Sequence, residues 1–172
     1  MNEFPNRKPN RLREYDYASN GVYFITICTK DRQHLLSRIV GAATCRPNDA
    51  AYTTEHGDPL PCRVELSDAG RIVDAAIRGI AAHYENVSVD RYVVMPNHVH
   101  LLLRIGETDG RQVAAPTIIG SFKRHVTIAA GRPVWQKGFY DHVIRGEEDY
   151  LLHCRYIDEN PWKWLLGKDE YA

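Results

Sequence analysis

Two short apolar runs, joined by a proline, constrain this chain more than any other feature. Val87 to Met95 and Val99 to Ile105 are rich in β-branched and leucine side chains, and Pro96-Asn97 between them suits a tight connection. We therefore expect two consecutive strands. His98 and His100 lie where the second run begins. Because alternate side chains of a strand point to the same face, these two imidazoles are expected to project together.

Two neighbouring imidazoles on a rigid strand provide half of a metal site. The same tripeptide also fits two partly exposed surface histidines, or a satisfied polar pair at the edge of a sheet. Short motifs arise often without function, so the tripeptide alone leaves both interpretations open. The decision depends on residues elsewhere in the chain.

The rest of the pattern predicts further strands and helices on either side of this pair. Residues 40–63 lack periodicity and are interpreted as a long loop or a small hairpin insertion. The predicted elements are a buried strand from Gly21 to Thr29, a helix capped by Ser67 and ending near residue 84, a helix between Pro116 and Gly131, a short strand from Phe139 to Ile144, and a helix from Glu147 that turns Leu151, Cys154 and Ile157 inward and stops at Pro161.

The order of these elements is β-α-β-β-α-β with an added C-terminal helix. That order is typical of the ferredoxin-like split βαβ fold, an α+β class with a four-stranded antiparallel sheet and helices on one face. The expected organisation is a basic arm at 1–20, one domain at 21–165 and a tail at 166–172. The fold by itself does not define a function.

The composition of the chain excludes few classes of protein. Lys plus Arg and Asp plus Glu are equal at 22 each, so overall charge gives no support to nucleic-acid binding. No stretch approaches the roughly 20 apolar residues of a membrane span, and the N-terminus lacks the apolar core of a signal peptide. We therefore expect a cytoplasmic protein. No Cys-x-x-Cys pair is present, which argues against a zinc ribbon. The four cysteines are expected to be reduced thiols, with Cys28 and Cys154 in packed positions.

The last predicted helix carries Tyr156 and Asn160, which share one face because they are four residues apart. A tyrosine hydroxyl is a nucleophile for phosphoryl centres. An asparagine amide oxygen is a hard ligand that suits Mg²⁺ or Mn²⁺. Two histidines and one asparagine would leave positions on such an ion open for phosphate oxygens. Taken alone, a tyrosine four residues before an asparagine is a weak signal.

In combination, these motifs resemble the REP-associated tyrosine transposases, which are insertion-sequence-like members of the single-tyrosine HUH transposases. In that family two histidines flank a hydrophobic residue, as His98 and His100 do here. The resemblance covers most of residues 15–165, in the order of the family. The matching segments are Tyr23–Thr26, Val94–His100, Trp135–Arg145 and Tyr156–Pro161.

The resemblance implies cleavage and rejoining of single-stranded DNA beside short hairpins. By that resemblance Tyr156 attacks a phosphodiester, keeps the 5′-phosphate as a phosphotyrosine and releases a 3′-OH. His98, His100 and Asn160 would hold Mg²⁺ or Mn²⁺. It also implies single-stranded or hairpin DNA as the partner, a monomer or homodimer, and a place in the bacterial cytoplasm with the nucleoid.

Rival assignments stay open at three positions. Tyr140 is a second candidate nucleophile beside Asp141 and His142, although Tyr156 fits the family pattern better. His142 either orients the DNA or a catalytic group, or is a buried, hydrogen-bonded histidine. His153 is an alternative to Asn160 as ligand, since Asn160 precedes a proline and is biased away from helical geometry.

Two basic clusters are candidate phosphate contacts, although solvated surface is an equally good interpretation of each. They comprise Arg7, Lys8, Arg11 and Arg13 in the arm, and Lys123 and Arg124 on the predicted helix between Pro116 and Gly131. Two other functions fit the same residues. One is a catalytically inactive module that binds single-stranded nucleic acid, and the other is a metal hydrolase that uses water instead of tyrosine.

Overall fold

The chain alternates strands and helices in nearly the order that the sequence predicts. A computed structural model describes residues 19–41, 62–110 and 112–169. The elements are β1 (Gly21–Cys28), β2 (Ser37–Gly41), β3 (Cys62–Leu66), α1 (Asp68–Arg78), α2 (Ile80–His83), β4 (Val87–Val94), β5 (His98–Ile105), α3 (Ala115–Ala129), β6 (Tyr140–Val143) and α4 (Glu147–Leu165), with a 3₁₀ turn at Lys30–Arg32.

The main sheet has the strand order β4-β5-β1-β6, with every neighbouring pair antiparallel. β1 and β4 run in the same direction with β5 between them, which is the split βαβ arrangement of a ferredoxin-like fold. The predicted α+β class, with an antiparallel sheet and an added C-terminal helix that carries the tyrosine, is confirmed. The pair β1 and β5 places Thr26 opposite His100 and Phe24 opposite Leu102.

The two faces of this sheet are covered by different elements. Leu101 and Leu103 of β5 belong to the larger core, which α1 and α3 close. Leu102 points the other way, into a smaller core that also contains Phe24 and Cys154. Helices therefore lie on both faces, because α4 packs against the face that α1 and α3 leave open.

A separate two-stranded sheet is formed by β2 and β3, which pair from Ser37 opposite Leu66 to Gly41 opposite Cys62. These strands flank residues 42–61, which lie outside the described residues, so the interpretation of 40–63 as a long loop or a small hairpin insertion stays a prediction. Cys28, Cys62 and Cys154 are buried free thiols, as predicted for Cys28 and Cys154.

Two helix predictions were wrong in detail. The helix after Ser67 is divided at Gly79 into α1 and the short α2, although Ser67 does cap it by accepting from the N–H of Gly70 at 3.0 Å. The last helix does not stop at Pro161 but continues to Leu165 with the proline buried inside it. Its final turn is held by Trp164, whose ring contacts the ring of His34.

The inward side of α4 also differs from prediction. Leu151 is 53% exposed, whereas Cys154 and Ile157 are buried as predicted. Tyr150 takes the place expected for Leu151, because residues 150, 154, 157 and 161 follow the i, i+4, i+7, i+11 spacing of one helical stripe. In the part of the chain that the structure describes, no helix has the length and hydropathy needed to cross a bilayer.

Candidate active site

His98 and His100 lie side by side at the start of β5, on the face covered by α4. Their ring centroids are 4.5 Å apart, and both side chains are fully buried. The prediction that the two imidazoles project together is confirmed, and the interpretation as partly exposed surface histidines is wrong. The ring of Phe24 stacks on His100 at 5.2 Å and closes one side of the pair.

Each imidazole is held by a hydrogen bond at its Nδ1 atom. Nδ1 of His98 lies 2.7 Å from Oδ1 of Asn97, and Nδ1 of His100 lies 2.8 Å from Oγ1 of Thr26. An amide oxygen only accepts, and the amide oxygen at Nδ1 is closer (2.7 Å) than the one at Nε2 (3.3 Å), so we assign the proton of His98 to Nδ1 and the lone pair to Nε2. Partners on the far nitrogen of this kind orient metal-binding histidines in proteins.

Burial keeps both rings neutral. It lowers the pKa of His98 to about 3, against a smaller upward effect of the neighbouring Asn160 side chain. Burial also places the pKa of His100 well below its ordinary value, and the neighbouring His98 and His153 add to that effect. Neutral imidazoles are the form that binds metal ions.

Asn160 lies in the body of α4 and is fully buried, not at a helix end as its neighbouring proline suggested. Its Oδ1 atom is 3.3 Å from Nε2 of His98. Among the described residues, its Nδ2 atom is buried without a hydrogen-bond partner. A buried donor left in this way costs about 1–3 kcal/mol.

A divalent cation fits this arrangement. Nε2 of His98 and Oδ1 of Asn160 are both acceptors, and they face each other across 3.3 Å. A positive ion between them would satisfy both lone pairs. The separation is close to the about 3 Å between adjacent ligands of an ion bound at about 2.1 Å. His100 uses Nδ1 for Thr26, which leaves Nε2 as the nitrogen with which it would bind.

Asp169 is a site residue that the sequence did not reveal. Its carboxylate is fully buried, and Oδ2 lies 3.9 Å from Nε2 of His98. Burial keeps His98 neutral, so the contact between His98 and Asp169 is not an ion pair. Nothing in the local sequence around Asp169 indicates that the chain returns to β5 at this point.

Tyr156 reaches the same place from α4. Its ring centroid is 5.1 Å from that of His100 and 5.8 Å from that of Phe24, each in an edge-on arrangement. Nζ of Lys163 lies 5.2 Å from the centre of the Tyr156 ring and 3.0 Å from a carboxylate oxygen of Glu159. Lys163 follows Tyr156 by seven residues, so helical periodicity could have placed it on this face.

A cavity of about 520 Å³ opens beside Tyr156. It is lined by Phe24, Tyr140, Leu152, His153, Arg155, Tyr156, Glu159 and Lys163. Tyr140, the rival nucleophile, is 49% exposed at this cavity. Ring contacts link Tyr156, and not Tyr140, to His100 among the described residues.

The supporting histidines form a group of their own. Nε2 of His142 lies 3.0 Å from Oδ2 of Asp149, and Nδ1 of His153 lies 3.1 Å from Oδ1 of the same carboxylate. Both side chains are partly buried. His153 therefore pairs with Asp149, while Asn160 is the residue beside His98.

The basic residues predicted to contact phosphates differ in their surroundings. Lys123 donates to the carbonyl oxygens of Gln136 and Gly138 at 2.8 and 2.6 Å, and its burial lowers the pKa of the ammonium. Arg124 is exposed. The arm residues Arg7, Lys8, Arg11 and Arg13 lie outside the described residues, so DNA contact by either cluster stays a prediction.

Two of the known proteins similar to this chain are named as transposases. No protein-family model matches it. An uncharacterised protein of Haemophilus influenzae is 29% identical, over 92% of this chain and 89% of its own length. A putative REP-associated tyrosine transposase of the same organism is 23% identical, over 86% of this chain and 74% of its own length. A REP-associated tyrosine transposase of Escherichia coli is 34% identical over 44% of each chain.

A solved structure with a similar fold is also a REP-associated tyrosine transposase. The structure of a REP-associated tyrosine transposase bound to a REP hairpin matches with a TM-score of 0.59 and 24% identity, over 90% of this chain and 73% of that one. The fold is therefore shared with a REP-associated tyrosine transposase, and two relatives in sequence carry that name. The predicted resemblance to the REP-associated tyrosine transposases is confirmed, and the chain is a homologue of these proteins.

Proposed function

We propose that this protein cleaves and rejoins single-stranded DNA near hairpins, with Tyr156 as the nucleophile and with Mg²⁺ or Mn²⁺ as the cofactor. The observation that carries the proposal is the meeting of β5 and α4. There, two buried neutral imidazoles lie against the ring of Tyr156 and the amide oxygen of Asn160. Two of the proteins to which the chain is similar support it, since they are named as REP-associated tyrosine transposases.

The reaction is a transesterification that conserves the number of phosphoester bonds. The phenolic oxygen of Tyr156 gives up its proton and attacks the phosphorus, and a new O–P bond forms. The bond from phosphorus to the 3′-oxygen breaks, and that oxygen takes up a proton and leaves as a 3′-OH. The 5′-phosphate stays on Tyr156, so a free 3′-OH can reverse the attack and join strands.

Each residue of the site has a distinct task in this scheme. His98, His100 and Asn160 would hold the cation, which when bound supplies charge stabilisation at the non-bridging phosphate oxygens. Asn97 and Thr26 orient the two imidazoles. Lys163 places a positive charge next to the ring of Tyr156, where it favours a phosphate group.

DNA would enter through the open cavity in front of Tyr156. Arg155 and Lys163 in its wall favour a phosphate backbone. The structural neighbour is bound to a REP hairpin. We propose single-stranded or hairpin DNA as the partner on these grounds, with the arm residues and Arg124 as additional backbone contacts.

A covalent-adduct assay tests the proposal. Purified protein is mixed with labelled single-stranded DNA that carries hairpins taken from the DNA flanking its own gene, with Mg²⁺ or Mn²⁺, and is run on a denaturing gel. We expect a shifted protein–DNA band that disappears with EDTA and in Tyr156→Phe. Tyr140→Phe is the matched control, because Tyr140 lines the same cavity, and its band should persist.

Three other results would contradict parts of the proposal. A band that survives in Tyr156→Phe and is lost in Tyr140→Phe would assign the nucleophile to Tyr140. Cleavage without a covalent band, and retained in Tyr156→Phe, would indicate a hydrolase that uses water. Tight binding with neither band nor cleavage on any flanking sequence would indicate a binding module without chemistry.

A further inference from the structure

A second cluster of metal-binding side chains lies where β6 meets the first turns of α4. It consists of His142 on β6 and of Asp149 and His153 on α4. Their ligand atoms all lie within 4.8 Å of one another. The two imidazole rings are stacked, with centroids 4.9 Å apart and planes 16° from parallel, so their edges are directed at one carboxylate.

The spacing within this cluster matches that of a coordination shell. Nε2 of His142 is 3.0 Å from Oδ2 of Asp149, and Nδ1 of His153 is 3.1 Å from Oδ1. Ligands about 2.0–2.2 Å from a common ion lie about 3.0–3.5 Å from one another. Two imidazoles and one carboxylate form a set that suits Zn²⁺ and its neighbours in the transition series, and they leave positions open for other ligands.

The carboxylate of Asp149 favours the ionised form, which is the form that binds cations. Burial alone would raise the pKa of Asp149, but the N–H of Arg145 at 2.7 Å and the neighbouring His142 outweigh it, and the pKa lies below its ordinary value. Nδ1 of His153 also lies 2.8 Å from the carbonyl oxygen of Asp149. Binding of a cation at Nδ1 would replace this hydrogen bond, and the ring proton would move to Nε2.

This cluster shares no residue with the set proposed for catalysis. The ring of Phe24 lies between the two groups, 5.2 Å from His100 and 4.6 Å from His153. His153 precedes Tyr156 by three residues, so an ion held here would fix the turn of α4 that leads directly to the nucleophile. His153 also borders the cavity at Tyr156.

We propose that His142, Asp149 and His153 form a second cation site, specific for a transition metal of the Zn²⁺ type, that clamps the first turns of α4 to β6. This site is independent of the cation that His98, His100 and Asn160 would hold. Its existence does not depend on whether Tyr156 performs DNA cleavage.

Calorimetric titration of untagged protein with Zn²⁺ tests the site. The variant His98→Ala/His100→Ala removes the first site, and we expect it to bind one equivalent of Zn²⁺ and to gain thermal stability from it. Adding His142→Gln/His153→Gln to that variant should weaken binding by more than about tenfold and abolish the stability gain. His125→Gln, which alters an exposed histidine on α3, is the control and should change neither.

The wild-type background provides a second measurement if the His98→Ala/His100→Ala variant does not fold. There, His142→Gln/His153→Gln should lower the number of bound Zn²⁺ ions by one. The proposal is overturned if the folded His98→Ala/His100→Ala variant binds no Zn²⁺. It is equally overturned if His142→Gln/His153→Gln leaves the affinity and stoichiometry unchanged. Failure of the adduct assay would leave these results unaffected, so the two proposals fail separately.

Discussion

The hydroxyl of Thr26 fixes the orientation of one proposed metal-binding imidazole. Its Oγ1 is 2.8 Å from Nδ1 of His100, on the neighbouring strand. Thr26→Val keeps the shape of the side chain and removes this bond, so we expect the affinity for Mn²⁺ to fall by about 10–100-fold with the fold intact. Calorimetric titration measures it. Thr117→Val, on the exposed surface of α3, should have no effect, and an unchanged affinity in Thr26→Val would remove the orienting role.

Burial of two neutral histidines makes the stability of the metal-free protein depend on pH. The pKa of His98 is about 3 in the folded protein and about 6.5 in an unfolded chain. Between these values the unfolded state binds more protons, so the free energy of unfolding falls as the pH is lowered from 7. We expect a loss of about 2 kcal/mol from His98 between pH 7 and pH 5. His100 should add to it, because burial lowers its pKa in the same direction.

Urea unfolding in EDTA at several pH values measures this dependence. His98→Gln should show a shallower loss of stability between pH 7 and pH 5 than the wild type. His83→Gln, which replaces an exposed histidine on α2, should follow the wild type. Parallel curves for the wild type and His98→Gln would mean that His98 is not buried in the neutral form.

Much of the site could be predicted from local periodicity, and the rest could not. Strand alternation brings His98 and His100 to one face, and the helical repeat brings Tyr156 and Asn160 to one face. The repeat also reaches Lys163, which was missed. Asp169 follows the end of α4 and arrives at His98 through the path of the tail. That path depends on tertiary packing, which no local pattern encodes.

At the level of elements, α1 lies unusually close to the segment that precedes β2. A Cβ atom on Gly70 would lie 1.9 Å from the carbonyl oxygen of Leu36. Leu36 in turn donates its N–H to the carbonyl of Pro96 at 3.0 Å, directly before Asn97 and His98. The glycine therefore permits a contact that supports the turn leading into the site.

Gly70→Ala should consequently be strongly destabilising. The obstructing atom is backbone, so we expect a loss of about 3 kcal/mol, at the upper end of the range for overpacking. Gly120→Ala is the matched variant in α3, where an added Cβ meets nothing within 4 Å. It should stabilise the protein by about 0.5–1 kcal/mol, the helix propensity difference. Urea unfolding compares the two, and a stabilising Gly70→Ala would show that α1 does not approach Leu36 this closely.

The length of α4 shows why element boundaries were harder to predict than element types. A proline inside a helix lacks the N–H that the carbonyl four residues earlier requires, so a stop at Pro161 was the local expectation. The helix continues because Pro161 is buried and Trp164 packs near His34 and His98. This tertiary packing keeps Asn160 in helical geometry, one turn after Tyr156.

At the scale of the whole molecule, the four-stranded sheet separates two apolar cores, and only one of them borders the candidate active site. The face covered by α1 and α3 contains the larger apolar cluster. The face covered by α4 contains a smaller cluster that borders His100 and Tyr156. The sequence predicted helices on one face only, because the amphipathic pattern of a helix does not specify which side of a sheet it covers. Stability and site geometry are thus expected to be separable by mutation.

Two neighbouring leucines on β5 test this separation. Leu101 and Leu102 are both fully buried, but Leu101 faces α1 and α3, whereas Leu102 faces Phe24 and α4. Replacing either by Val removes one methylene and should cost about 1 kcal/mol of unfolding free energy. Only Leu102→Val leaves a gap beneath α4 and should also weaken Mn²⁺ binding, since Asn160 is positioned by that helix. Urea unfolding and calorimetric titration of both variants measure the two effects, and equal losses of Mn²⁺ affinity would show that the two cores act as one.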